Sequence, residues 1–351
     1  IGAGGGSIAT VDALGLLKVG PNSAGSEPGP ACYNRGGQEA TVTGADLVLG
    51  ILDAENFLGG EMKLNKDAAE AAIAPLAEKL NTSVSNTAKG IFQVVNGSMA
   101  AAARAHATDR GIDYRGMPLL AFGGAGPVHA CHVAELLESD TVIYPPLASV
   151  LSAFGTLVTP VRFDLAKGTT GSIDWHTARE AYSSMELESE AALAAAGTSK
   201  DTIKYIYGAD MRYEGQQNEV TVDFEYNLIE TRDTTIMRET FERAYEAQYG
   251  LRLSDMPIEI VAWRLSAQGP NVERHGRPDK ANDVGVPKGK RLVMIEETPE
   301  QIDIYDRAAL AVGQNIAGPT IIEERETTIF ILPNWCACVA DNGCITASKG
   351  I

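Results

Sequence analysis

The residue types best suited to chemistry gather in "PLLAFGGAGPVHACH", residues 118–132. An apolar run stops at Gly123 and Gly124, Pro127 opens what reads as a helix, and His129, Cys131 and His132 follow. Paired glycines after a strand can take positive φ and admit a ligand against bare backbone. Pro127 suits the first helical position, where its missing N–H costs nothing. The free N–H groups of that helix start favour an anion. Gly123, Gly124, Ala125, Gly126 and Pro127 therefore read in two ways: a turn that seats the base or sugar of a nucleotide, or a tight strand-to-helix turn with no ligand. No G-K-[ST] follows, so the stretch is not a Walker loop, and it does not fit the Rossmann fingerprint. A second glycine loop, "GAGGGS", spans residues 2–7; Gly4, Gly5 and Gly6 bare the backbone, and Ser7 can bond a phosphate or a carbonyl. Any flexible loop shares that composition.

His129 and His132 lie three apart on one helix face with Cys131 between them. A zinc site needs further ligands at suitable spacing, and none is visible nearby, so no metal ligand is assigned. His129 and Ser7 are the candidate catalytic residues, with packing at a helix start the competing role for the histidine. Cys336 and Cys338 in "CAC" share one face of a strand, with Cys344 beyond a turn; the spacing is not the C-x₂₋₄-C of structural zinc, and packing is expected. "SEPGPACYNRGG" can build a loop over a site with Arg35 facing an anion, or a purely structural Ω-loop. Glu214, Gln216 and Glu219 read as turn polars, and the sequons at Asn81 and Asn96 carry little without a secretory context.

These residues need elements to position them. The first 60 residues hold 14 glycines, a chain of turns between short strands. "LNKDAAEAAIAPLAEKL" is helical in propensity, and Pro75 is expected to kink or divide it. A helix from Val84 to Thr108 buries one stripe through Val84, Ala88, Ile91, Val95, Met99, Ala102 and His106, which makes His106 a core histidine. "MPLLAF", "GGAG" and "PVHACHVAELLES" follow as buried strand, turn and helix, and "TVIYPP" as a second buried strand. A helix and a strand in "ASVLSAFGTLVTPVRFDLA" end an α/β domain near Leu165, and "KGTTGSIDWHT" marks a junction. Beyond it come the helix "TAREAYSSMELESEAALAAAG", strands about the "YEGQQ" turn, the helix "MRETFERAYEAQYG" stopped at Gly250, and further strands to the end, an α+β region.

At 351 residues the chain has room for two domains, divided here as 1–168 and 169–351. A net charge of −17 argues against nucleic acid and against an anionic membrane as partners, since both demand a basic face. Five cysteines in so large a chain make no disulfide scaffold, and a reducing, cytoplasmic setting is expected. The start at Ile1, without methionine, reads as the middle of a protein.

"IGAGGGSIATVD", "LKVGPNSAGSEPGPACYNRGG", "ATVTGADLVLG" and "FLGG" resemble successive blocks of the hydantoinase A / 5-oxoprolinase / acetone carboxylase β-subunit family. "GIFQVVNGSMAAAARAHATDRG", "LLAFGGAGPVHA", "PPLASVLSAFGTL", "MRYEGQQNEVTV" and "GPTIIEERETTIFILPNW" continue the resemblance in order over essentially all 351 residues. It implies the C-terminal part of an actin-like ATPase core, of the ribonuclease H-like, sugar kinase and heat-shock chaperone type, followed by a sheet-rich α+β domain. In such cores a G-G-x-x-x-P turn seats adenosine, and Gly123 to Pro127 fit that role; His129 matches a histidine of the family's "GGAGPxHA" block, which implies a substrate- or nucleotide-side role.

The resemblance further implies ATP and Mg²⁺ as cofactors. The Mg²⁺ ligands are expected in D-x-G-G-T phosphate loops N-terminal to "IGAGGGS", so a fragment without them is expected to be inactive alone. Partners implied are the N-terminal portion of the same subunit, a hydantoinase B-type subunit or fused half, and a small cyclic amide or ketone. The expected reaction is ATP-dependent opening of a hydantoin, 5-oxoproline or lactam. The alternatives are ketone carboxylation and a non-catalytic assembly subunit; a sugar-kinase relative shares the core but not the C-terminal blocks.

Overall fold

The computed structural model describes residues 2–253, 255–271, 284–294 and 298–350. The chain forms two compact units, Ile1–Gly155 with His275–Ile351, and Thr156–Arg274.

The first unit opens with the antiparallel hairpin β1 (Ser7–Val11) and β2 (Leu17–Ser23). Helices α1 (Val42–Val48), α2 (Lys66–Lys79) and α3 (Val84–Asp109) follow, and each starts at a residue able to bond a free helix N–H. Thr41 accepts from Gly44, Asn65 from Ala68 and Ser83 from Asn86. Strand β3 (Leu119–Leu120), α4 (Gly126–Leu136), β4 (Thr141–Tyr144) and α5 (Leu151–Val158) come next.

The other unit is a sheet of β5 (Arg162–Gly171), β6 (Lys204–Tyr213), β7 (Val220–Phe224) and β8 (Ile258–Gln268) in the order β5-β8-β6-β7, all neighbours antiparallel. Helices α6 (Trp175–Ala195), α7 (Asn227–Thr231) and α8 (Thr234–Tyr249) complete it. Gly250 ends α8 in the left-handed conformation, as expected. Its core is aromatic, with Tyr182, Tyr213, Phe241 and Trp263 fully buried.

The chain then supplies β9 (Gly289–Met294), β10 (Pro299–Asp306), β11 (Asn315–Ala317), β12 (Thr320–Glu323), β13 (Thr328–Ile331), β14 (Trp335–Val339) and β15 (Ile345–Lys349) to the first unit. One sheet runs β13-β12-β10-β9, and another runs β11-β14-β15-β4-β3. In the second, β15 pairs antiparallel with β4, Ile345 opposite Tyr144 and Ala347 opposite Val142, and β4 pairs parallel with β3. All four inward residues are fully buried, so the C-terminal hairpin and β4, the strand after α4, share one core.

The structure departs from the sequence reading at several points. His106 is exposed in the last turn of α3 beside the Arg110 guanidinium, because the helix outruns the core it packs on and the stripe turns outward. Pro75 does not divide α2, whose Ala69, Ile73, Leu76 and Ala77 are buried on either side of it. The "MPLLAF" strand shrinks to two paired residues at a sheet edge, with Leu120 and Phe122 about half exposed. Residues of the expected junction, Lys167 to Gly171, lie in β5, because ladder hydrogen bonds to β8 need only backbone. Asn96, in a sequon, is buried.

Truncating Ile345 to alanine should cost about 2–4 kcal/mol through cavity formation, and hydrogen exchange should then quicken at Val142 and Ile143 on the paired strand. Unchanged exchange in β4 would show that β15 does not hold it.

Candidate functional site

The turn from Gly123 to Pro127 is shaped by backbone. Gly123 adopts φ +96°, where a side chain is strained, and its N–H donates to the carbonyl of Ala148 at 2.8 Å. Gly124 accepts from the Thr327 hydroxyl, also at 2.8 Å, from the turn between β12 and β13. A Cβ placed on Gly123 or Gly126 would meet no atom within 4 Å, so the turn faces open space. Ala125 precedes α4 without any side-chain cap, and Pro127 lies in its first turn. Leading N–H groups of α4 thus remain directed at whatever enters that space. This arrangement has the features of a cradle for an anion or a nucleoside.

The second glycine loop lies against the first. A Cβ on Gly5 would sit 3.7 Å from the Cβ of Ala125 and 2.6 Å from Thr43 Oγ1. Gly5 accepts from the N–H of Thr43 at the start of α1, and Gly4 borders open space. Residues 120 apart in sequence are thereby brought side by side, Gly5 against Ala125. Ser7 is buried; its hydroxyl accepts from Gly4 N–H at 3.0 Å and lies 3.3 Å from the carbonyl of Gly2. The serine thus ties the loop to itself.

His129 is 0% exposed in the first turns of α4. Its Nε2 lies 3.6 Å from Asp46 Oδ2 on α1, beyond hydrogen-bond length, and both ring nitrogens lack a partner among the described residues. Phe92 of α3 packs on both histidines, with ring centroids 4.8 Å from His129 and 4.9 Å from His132. Burial pushes His132 down to about 4, with His129 adding to the shift and Glu135 opposing it. Burial likewise pushes the Cys131 thiol up to about 12, and its sulfur rests 3.1 Å from the Tyr144 hydroxyl. Among the described residues no group of three His, Cys, Asp or Glu is arranged to hold a metal ion. Cys336 and Cys338 face the same side of β14, opposite the buried Trp335, Ala337 and Val339. Arg35 is exposed, and Gln216 bonds the Tyr245 hydroxyl.

The residues that brace the turn escaped local reading. Thr327, Ala148, Thr43 and Asp46 belong to segments whose chemistry is ordinary until the fold brings them together. Only the ordered position of "GPTIIEERETTIFILPNW" among the blocks hinted at Thr327.

His132 titrates with a definite sign. Its folded pKa lies below the ordinary 6.5, so the unfolded chain takes the proton first and stability falls as pH drops from about 6.5 towards 4. The loss attributable to this residue is about 3 kcal/mol. In His132→Phe, which keeps the ring between Phe92 and Phe330, the urea midpoint should fall less between pH 7 and pH 4.5 than in the parent. Equal falls would remove His132 as a source of acid sensitivity.

The hydantoinase/oxoprolinase family matches residues 1–165, and the hydantoinase/oxoprolinase C-terminal domain matches residues 173–346. Caprolactamase subunit alpha of Pseudomonas jessenii is 35% identical over 348 residues, 95% of this chain and 50% of that protein. A crystal structure of the ATP-dependent caprolactamase from Pseudomonas jessenii superposes with a TM-score of 0.74 at 32% identity, covering 100% of this chain and 52% of that one. The gamma subunit of acetophenone carboxylase from Aromatoleum aromaticum is 30% identical over 98% of this chain and 49% of its own. Nucleotide-free acetone carboxylase shares the fold, with a TM-score of 0.85 at 22% identity over 100% of this chain and 52% of that one. The chain spans about half the length of these relatives. With both matches in order along it, the chain belongs to the hydantoinase/oxoprolinase family.

Proposed function

We propose that this chain is part of an ATP-dependent subunit that opens a cyclic amide, and that Gly123 to Pro127, with Gly4 to Gly6 opposite, receive the nucleotide. The observation that carries the reading is the open, uncapped turn at Gly123 and Gly126. The 35% identity to a caprolactamase subunit favours a cyclic amide. ATP would supply a phosphoryl group to the amide oxygen, releasing ADP and activating the carbonyl carbon towards water. The ring C–N bond would then break with the nitrogen leaving as a protonated amine, and hydrolysis of the acyl phosphate so formed would release phosphate.

This chain's residues bind and position. The two glycines admit the nucleoside against backbone, and Thr327 and Ala148 hold the turn's carbonyl and N–H. The start of α4 offers N–H groups to negative charge, and the Ser7 hydroxyl keeps the facing loop folded. Being fully buried, His129 acts through the packing of α4 on α1 and α3 in this arrangement. We place Mg²⁺ and its ligands in the N-terminal portion of the subunit, set the module boundary at residue 168, and expect a hydantoinase B-type partner in a cytoplasmic hetero-oligomer. The flanking family matches end at 165 and begin at 173, which supports that boundary along the sequence. Residue 168 itself lies within β5, and the strands from β9 onward belong to the first compact unit. No helix among the described residues is long and apolar enough to cross a membrane.

The second reading, ketone carboxylation, is favoured by the 30% identity to an acetophenone carboxylase subunit. Both readings are separated by ATP hydrolysis in the complete subunit with its partner, offered hydantoin, 5-oxoproline and caprolactam in one arm and small ketones with bicarbonate in the other. Stimulation by a cyclic amide is expected. Stimulation only by ketone and bicarbonate would transfer the assignment to the carboxylase, and silence in both arms would leave a non-catalytic assembly role. Gly123→Val should raise the KM for ATP at least tenfold, about 1.4 kcal/mol of lost binding, while the far-UV spectrum and melting temperature report whether the fold survives.

A further inference from the structure

Bordering the glycine turn, on the far side of residues 323–326, the first unit contains a cavity of about 660 Å³, a size typical of small-molecule sites. Its rim is built from five turns: residues 56–59 before α2, 146–147 after β4, 306–312 after β10, 323–326 between β12 and β13, and 341–343 between β14 and β15. Leu147, Leu310, Val312 and Val339 give it an apolar wall.

The charges in the lining are unequal. Five carboxylates stand against three cations, and each cation is already engaged. Lys288 pairs with Glu323 at 2.6 Å, and Arg325 pairs with Glu61 and Glu326. Arg307 pairs with Glu324, and its other nitrogen donates to the carbonyls of Tyr144 and Gly343, both at 2.9 Å. Arg307 and Glu324 are nearly buried, so this pair is a fixed part of the cavity floor. Burial raises the Glu324 carboxyl above the ordinary carboxylate range, against the pull of Arg307 and with the help of Glu326. No cation among the described residues pairs with Asp341 or Asp306, which both line the space. A negative surplus beside apolar wall selects a positive charge carried on a hydrocarbon body.

We propose that this cavity is a binding site for a small aliphatic primary amine, its ammonium group set towards Asp306 and Asp341, the lining carboxylates without a cation among the described residues, and its chain against Leu147, Leu310 and Val312. The proposal does not rest on the reaction assigned above. An alkylamine carries both required features, a charge that the surplus carboxylates attract and methylenes that the wall removes from water. An alcohol of equal length lacks the charge, and a carboxylate has the wrong sign.

The test is calorimetry on the complete subunit in its assembly, without ATP, using n-alkylamines from butyl to decyl with 1-hexanol and hexanoate as controls. Amine affinity should rise roughly threefold to fourfold per added methylene until the cavity is filled. Hexanol should bind at least tenfold more weakly than hexylamine, and hexanoate not at all. Asp341→Asn should weaken hexylamine at least fivefold. Asp306→Asn, which keeps an oxygen for the Ala308 N–H, should weaken it as well, and unchanged melting temperatures in both variants exclude loss of fold. Hexanol or hexanoate binding as well as the amine would overturn the proposal. So would an assembly with wild-type melting behaviour that binds no amine, as when another segment fills the cavity, or hexylamine binding in Asp341→Asn and Asp306→Asn equal to that of the parent.

Discussion

The pairing of β15 with β4 is the constraint on which the first unit depends. Four residue pairs join a strand near the end of the chain to one laid down about two hundred residues earlier. Once that ladder forms, the whole stretch from β9 onward must fold back across α4. Trp335 then donates to Glu135 of α4 at 3.1 Å, and Lys349 reaches the same carboxylate at 2.9 Å. Burial pulls that carboxyl up, but the bonds from Lys349 and Trp335 win, and its pKa ends below the ordinary range. Thr327 is carried to Gly124 by the same fold-back.

A second node acts where the β9–β10–β12–β13 sheet meets the early loops. Glu323 is 3% exposed, yet it is held by Lys288, Arg291 and Asn56. Arg291 also binds Asp53 and the carbonyl of Ile51. A buried carboxylate survives only with such a full set of donors, because desolvation costs several kcal/mol. Its neighbour Glu324 has one guanidinium instead, and burial raises its carboxyl against the pull of Arg307. Adjacent residues on one turn thus have opposite characters, one a satisfied structural hub and the other a group facing a cavity.

Much of this was legible in residue patterns, and the failures share one cause. The start of α3 at Ser83 and the stop at Gly250 followed from local chemistry, whereas α6 and α8 start at the capping residues Asp174 and Asp233, ahead of the expected starts at Thr177 and Met237. The glycine turn after "LLAF" was visible because positive φ and an open approach demand glycine whatever surrounds it. His106 was misread because the stripe on α3 keeps its period after the core that needs it has ended. The mixing of β3 and β4 with β14 and β15 could not be read at all, since a strand's alternation specifies a face and never a partner. The proximity of Gly5 to Ala125, and of Asp46 to His129, is equally a product of topology.

The hydroxyl that grips Gly124 also has a temporal meaning. It lies 203 residues further along the chain. At a ribosomal pace of roughly 5–20 residues per second, the glycine turn waits about 10–40 s for the hydroxyl that pins it. Throughout that interval β4 lacks its C-terminal neighbour and Leu120 and Phe122 sit beside an open ladder, a state in which nascent chains find wrong strand partners or chaperones. The architecture that lets a late residue fix an early turn therefore makes biosynthesis its most exposed moment.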